Sequence, residues 1–399
     1  MNIVKREIGW IISKAVNKFN KRDNKLWVFG EWLGNRCCGN SLFLANYVAE
    51  NHPELRLVWL SKENIDLSLL DSRVERVVMD TPKAIEILKK AGVAIMNQGL
   101  VDLSESMTYY SYGAVNVNLW HGIPWKKIGL DIVDKKSIID YIYGRYILNL
   151  QKPSLFVALS DEMKEKVLNS FLLKEKNIIE SGYPRNSIFY DENRKKMSKK
   201  KIIAFLNENY GCKFEDDVKI ITYMPTFRDK AQNSFSFANM IDNEELNALL
   251  TNNKAIIIEK AHFVTSQRTS NEDNNCNQNI FGLNNVNSQE LLASTELLIT
   301  DYSSCFFDFL MMDKPIIHFT YDYEYYANKD RGLYYDKKDV ACGDVVENQE
   351  DLLASIADNL KNPNKNQELR LKRREHFMSY ESEDSCKKIY EAILFCLKK

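Results

Sequence analysis

Short apolar runs separated by amphipathic stretches set the pattern of this chain. Runs at Lys25 to Phe29, Leu55 to Leu60, Val77 to Met79, Val93 to Met96, Val115 to Leu119, Leu155 to Leu159 and Asn177 to Glu180 predict strands, each stopped by glycine, proline or a small polar residue. Between them, stretches such as Ser41 to Val48 and Pro82 to Lys90 repeat apolar residues at helical spacing. Strand and helix alternate, which predicts a parallel sheet with right-handed crossovers. The polar, lysine-rich stretch Asp191 to Lys201 predicts a linker. Beyond it the pattern resumes, with strands at Lys219 to Tyr223, Ala255 to Glu259, Leu297 to Thr300 and Lys314 to Phe319. A buried helix follows Ser304, and Gln349 to Lys399 reads as helical, ending in a helix that packs back on the first domain.

At the front of the chain, Val4, Ile8, Ile11, Ile12, Ala15 and Phe19 recur at helical spacing while Lys5, Arg6, Lys14, Lys18, Lys21 and Arg22 face elsewhere. Such a basic amphipathic helix either lies on an anionic membrane surface or packs on the domain behind it, and both can hold at once.

Composition narrows the classes. The 399 residues, 45% of them hydrophobic, suffice for two cores. With 54 Lys+Arg against 55 Asp+Glu, there is no global basic field for nucleic acid, so any basic site is local. Eight cysteines at 37, 38, 212, 276, 305, 342, 386 and 396 form no C-x-x-C pair, which predicts reduced thiols and no structural zinc. No apolar run approaches the ~20 residues needed to span a bilayer, and no cleavable leader is legible, so the expected location is cytoplasmic.

The candidate chemistry sits at strand ends. Trp120-His121-Gly122 ends the Val115 run, and Pro124, Lys126 and Lys127 follow. A histidine at that edge of an open α/β sheet, beside a glycine and two lysines, suits proton transfer near a phosphate; the alternative is a turn histidine bonded to backbone. The turn Gly182-Tyr183-Pro184-Arg185 holds an arginine suited to phosphate, or simply a surface arginine. In the second half, successive strand ends carry Pro225, Thr226 and Arg228, then Lys260 and His262, then Asp301, Ser303 and Ser304. The last could place an anion at a helix N-terminus, with Ser303 also a plain N-cap. Glycines 30, 34 and 39 match no phosphate fingerprint and read as a loop open to an acceptor, or as turn chemistry. His318 lies in an apolar run and reads as a core histidine.

Together, Trp120-His121-Gly122-x-Pro124, Gly182-Tyr183-Pro184-Arg185, Pro225-Thr226-Phe227-Arg228-Asp229, Lys260-x-His262 and Asp301-Tyr302-Ser303-Ser304 with Asp308 resemble the CDP-glycerol glycerophosphotransferase family of teichoic acid and capsule synthesis. The resemblance implies a GT-B type α/β fold, two Rossmann-like domains facing a cleft, behind the N-terminal amphipathic helix. The expected division is 1–24 for that helix, 25–190 for the acceptor side, 191–375 for the CDP-donor side and 376–399 for the closing helix.

By the same resemblance His121 is the general base and His262 a catalytic contact to the donor phosphates. Trp120, Gly122, Pro124, Arg185, Pro225, Thr226, Arg228, Lys260, Asp301, Ser303, Ser304 and Asp308 fall where the family binds donor. Ile123 replaces a threonine of the family motif, and Phe263 a proline. The implied reaction moves glycerol phosphate from CDP-glycerol to a hydroxyl of a membrane-linked glycan or polyol-phosphate acceptor, with CMP leaving. No cofactor is required, although Mg²⁺ could accompany the diphosphate. Peripheral residence on the inner face of the membrane is expected, and the chain length fits a transferase adding one or a few units. The rival readings are a CDP-ribitol enzyme, a UDP-sugar GT-B glycosyltransferase and a non-catalytic scaffold.

Overall fold

A computed structural model describes residues 11–106, 109–133, 137–226, 235–240, 243–260, 279–323 and 332–398. The chain divides into two compact units. The first runs through His121 and also takes Ile128–Ser187 and the residues from Met378 onward; the second takes Gly122–Lys127 and Ile188–Phe377.

The first unit is built on a seven-stranded sheet, ordered β3-β2-β1-β4-β5-β6-β7 and parallel throughout. Its strands are β1 Asp23–Phe29, β2 Arg56–Ser61, β3 Glu75–Val78, β4 Ala91–Met96, β5 Val115–Asn118, β6 Leu155–Ala158 and β7 Ile178–Glu180. Leu26 and Val28 share a core with Val58, Leu60, Ala94 and Met96, while Trp27 and Phe29 are fully buried on the opposite face. Burial on both faces is why these strands read as unbroken apolar runs.

The crossover helices have the caps their sequences ask for. In Pro82–Lys90 the Thr81 hydroxyl accepts from Ala84 N, Pro82 occupies the first turn, and Lys89 and Lys90 occupy the last. Its buried face is Ala84, Ile87 and Leu88, the two larger side chains contributing about 1.5–3 kcal/mol each.

The second unit holds a six-stranded parallel sheet, β10-β9-β8-β11-β12-β13, from β8 Lys219–Tyr223, β9 Ala255–Glu259, β10 Ile280–Gly282, β11 Leu297–Thr300, β12 Ile316–Phe319 and β13 Asp344–Val346. In each sheet the chain builds outward from a central strand, then reverses direction across the sheet. That reversal lies between β1 and β4 in the first and between β8 and β11 in the second, the places where such sheets bind ligands at their carboxyl ends.

Two expectations change. The stretch 191–201 is no linker: it opens a helix, Glu192–Tyr210, whose cap Asp191 accepts from Asn193 N and Arg194 N. Its lysines are solvated while Ser198, Ile202, Ile203, Leu206 and Tyr210 are buried. Gly122–Lys127, expected within the first domain, clusters with the second unit. Trp125 Nε1 donates to Tyr335 O at 2.9 Å, Tyr334 N to Trp125 O at 2.8 Å, and Lys127 N to Gly332 O at 3.0 Å.

Of the N-terminal amphipathic helix, residues 1–10 lie outside the described residues; residues 11–17 are helical. Ser13 and Asn17 form the buried side, and Ile11, Ile12, Val16 and Phe19 are exposed. No helix among the described residues is long and apolar enough to cross a membrane.

Candidate active site

In the first unit the carboxyl ends of β1, β4 and β5 converge on His121. Trp120 takes a left-handed backbone, φ 58°, with its N–H on Asn118 Oδ1 at 2.8 Å. Few bulky residues adopt that conformation, and here it turns the chain sharply out of β5. The Trp120 ring is held by Phe156 and Phe171 and lies 4.3 Å, centroid to centroid, from the His121 ring. Asn40 Nδ2 donates to Trp120 O at 2.9 Å, and Arg185 N donates to Asn40 Oδ1 at 3.2 Å.

Arg185 is buried. Its guanidinium lies over the Tyr183 ring and donates to His121 O at 3.0 Å, so it fixes the backbone that carries the histidine. The turn bearing Arg185 is itself clamped by Glu381, which accepts from Tyr183 N at 3.2 Å and Asn186 Nδ2 at 2.9 Å.

Burial, and then the Arg185 charge, push the His121 imidazole down to about 4; the Asn97 backbone favours the protonated ring without offsetting them. His121 is therefore neutral at neutral pH, as a proton acceptor must be. Its Nδ1 is buried and makes no well-formed hydrogen bond among the described residues.

Pattern reading missed the residues behind this histidine. Glu31, just past β1, is fully buried and accepts from Cys38 N, from Gly39 N at 2.7 Å and from Asn97 Nδ2 at 2.9 Å. Asp102, also fully buried, accepts from Leu33 N, Asn97 N and Gln98 N at 2.8, 2.8 and 2.7 Å. These two carboxyls hold the Glu31–Gly39 loop, in which Trp32 and Leu33 have φ of 50° and 55°. The clue was an acid directly following a buried strand.

In the second unit the ends of β8 and β11 meet at the chain reversal. Asp301 accepts from Thr226 N at 2.8 Å, Thr226 Oγ1 at 2.7 Å and Tyr302 N at 2.5 Å. It is fully buried, so it braces the Pro225–Thr226 turn. Ser303 and Ser304, both partly exposed, precede Cys305–Phe309, a helix of only five residues. A Cβ on Gly122 would lie 2.5 Å from Ser304 Oγ, so a larger residue there would have to push that hydroxyl aside.

Lys260 is buried with Nζ on Asn284 O at 2.8 Å and Val286 O at 2.6 Å, and so holds the loop after β10. Asp308 accepts from Gln289 Nε2 at 3.1 Å. Pro124 is buried, and Ile123, at the place of the family's threonine, is 3% exposed. His318 is a core residue: Cys342 N donates to its Nε2 at 3.1 Å, and burial lowers it to about 4. His262 and Arg228 lie outside the described residues. Among the described residues no group of three His, Cys, Asp or Glu is placed to hold a metal ion.

Comparison with known proteins agrees with this architecture. A teichoic acid poly(glycerol phosphate) polymerase of Bacillus spizizenii is 28% identical over 94% of this chain and 93% of its own length. A teichoic acid glycerol-phosphate transferase of Staphylococcus aureus is 26% identical over 98% of this chain and 99% of its own. The first is a polymerase of matching length, so chain length does not separate single addition from polymerisation. The structure of the wall teichoic acid polymerase TagF superposes with a TM-score of 0.79 at 21% identity, covering 99% of this chain and 95% of that one. A UDP-GlcNAc 2-epimerase from Neisseria meningitidis shares the fold more distantly, with a TM-score of 0.55 at 11% identity over 92% of this chain and 99% of that one. The fold class is α/β of the GT-B type. Residues 12–395 match the family model for CDP-glycerol:poly(glycerophosphate) glycerophosphotransferase, and the chain belongs to that family.

Proposed function

We propose that this chain transfers glycerol phosphate from CDP-glycerol to a hydroxyl of a lipid-linked glycan or polyol-phosphate acceptor, in teichoic-acid-like or capsule polymer synthesis. The acceptor oxygen attacks the β-phosphorus; the new P–O bond forms as the bond to CMP breaks, and CMP departs with the electron pair. The hydroxyl proton passes to His121. Ser303 and Ser304 donate to the diphosphate, Thr226 and Asp301 hold the turn beside it, and His262 and Arg228 offset its charge. Positioning and charge stabilisation carry such a transfer. Mg²⁺, where present, travels with the diphosphate.

The observation that carries this reading is a neutral, braced histidine at the sheet reversal of the first unit in a chain that matches the family from end to end. The test is CMP release by purified protein from CDP-glycerol with lipid-linked acceptors, with CDP-ribitol and UDP-sugars in parallel. Release from CDP-ribitol alone transfers the reading to ribitol phosphate, and UDP release without CMP overturns it.

Peripheral attachment to the inner face of an anionic membrane belongs to the same reading. Ile138, Ile139 and Ile142 of the helix Ile138–Leu150 are 71%, 81% and 61% exposed, and the helix has no buried residue. Lys14 Nζ reaches Leu150 O at 3.4 Å, so the outward apolar side of residues 11–19 belongs to the same unit and is linked to that helix. Paired apolar helices flanked by lysines suit a headgroup plane.

A further inference from the structure

If His121 takes the acceptor's proton, the imidazolium it forms is opposed by burial and by the Arg185 guanidinium. A group able to adjust that histidine should touch the elements that hold it. Glu31 touches both. Through Oε2 it holds the Asn97 amide, and the Asn97 backbone faces the His121 ring. Through Oε1 it holds the N–H groups of Cys38 and Gly39, directly before Asn40, whose amide bonds the Trp120 carbonyl.

Resting on the proposed reaction, we propose that Glu31 is a positioning residue whose buried carboxyl, through Asn97 and Asn40, sets the orientation and proton affinity of His121. An ionised carboxylate accepts all three donors. A protonated one carries an O–H that opposes one of them. The Asn97 side is where this mismatch falls most easily, because among the described residues Asn97 Oδ1 otherwise accepts from Ser41 Oγ alone, at 3.0 Å, and that hydroxyl has a second acceptor in Gly30 O at 3.0 Å. Protonation of Glu31 therefore favours a turned Asn97 amide and a displaced Asn97 backbone.

Burial raises Glu31 to about 7, with Asp102 adding to the rise and the Cys38, Gly39 and Asn97 bonds opposing it. The titratable and charged groups facing the two residues are Asp102 and Cys37 on the Glu31 side and Arg185 on the His121 side. The switch between the two Asn97 states thus falls in the physiological range.

Glu31→Gln presents an amide where the protonated acid would place its O–H, so it fixes the low-pH arrangement. Two measurements follow: turnover against pH with CDP-glycerol and acceptor, and the ring titration of His121 by ¹⁵N-edited NMR, assigned with His121→Asn. Wild-type turnover should climb through pH 7. E31Q should lose that limb and run flat, about tenfold below the wild-type plateau, with the His121 titration displaced. Should E31Q fail to fold, Asn97→Ala cuts the link while keeping the carboxylate and should displace the titration likewise. An E31Q or N97A protein with an unmoved His121 titration overturns the proposal. Absence of CMP release by wild type refutes the proposed reaction instead, and the NMR titration still decides the coupling.

Discussion

Asp301 takes both the backbone N–H and the hydroxyl of Thr226, at 2.8 and 2.7 Å, and so welds the ends of β8 and β11 into one rigid edge. Asp301→Asn should lower folding stability by about 2 kcal/mol, the cost of weakening charge-assisted bonds to a buried carboxylate. Thr226→Val, which keeps the backbone bond, should cost less. Urea titrations of the two variants check the order, and nucleotide titration of folded D301N should show weakened binding.

His121→Ala should lower turnover by ~10²–10⁴-fold while CDP-glycerol binding stays within a few-fold of wild type. Calorimetry of donor binding beside CMP-release kinetics separates the two. Near-normal turnover in this variant removes His121 from the proton transfer.

Two histidines and Glu31 act on stability in different pH windows. His121 and His318 are both depressed to about 4, so the folded chain binds protons more weakly than the unfolded chain, and stability is lost as pH falls from 6.5 toward 4. His318→Gln, which can keep an acceptor for Cys342 N, should flatten part of that loss. Glu31 is raised instead, so its contribution is fully present below its unfolded value near 4.5 and is lost as pH rises through 7. E31Q should therefore gain on wild type across that interval, by on the order of 3 kcal/mol at most. Denaturation midpoints at pH 5, 6, 7 and 8 read both trends.

Replacing Ile138, Ile139 and Ile142 by serine should reduce flotation with anionic vesicles by tenfold or more while leaving thermal stability nearly unchanged, since these side chains are already solvated. Binding that persists in the triple variant would move the membrane contact elsewhere.

The strand ends were legible because a doubly covered parallel strand must be an unbroken apolar run, and Gly122, Pro184 or Pro225 then marks where it stops. Short edge strands such as Ile280–Gly282 and Asp344–Val346 lack that run, and no pattern revealed them. The helix Glu192–Tyr210 passed for a linker because solvated lysines outnumber its buried positions. Glu31, Asn97 and Asn40 escaped for a deeper reason. A buried polar residue is defined by partners far along the chain, such as Glu31 with Asn97 or Asn40 with Trp120, and periodicity carries no record of those pairings.

Glu381 and Tyr380 lie close to the end of the chain, yet one closes the Gly182–Arg185 turn and the other reaches Leu159 O and Asp161. During synthesis the first unit therefore waits, missing its last pieces, until the whole of the second has left the ribosome. Domains ordinarily complete in the order they are made, N-terminal first. Here the turn bearing the arginine that steadies His121 is clamped by Glu381, which follows the whole of the second unit in sequence, so a chain cut after Phe377 carries the base without that clamp.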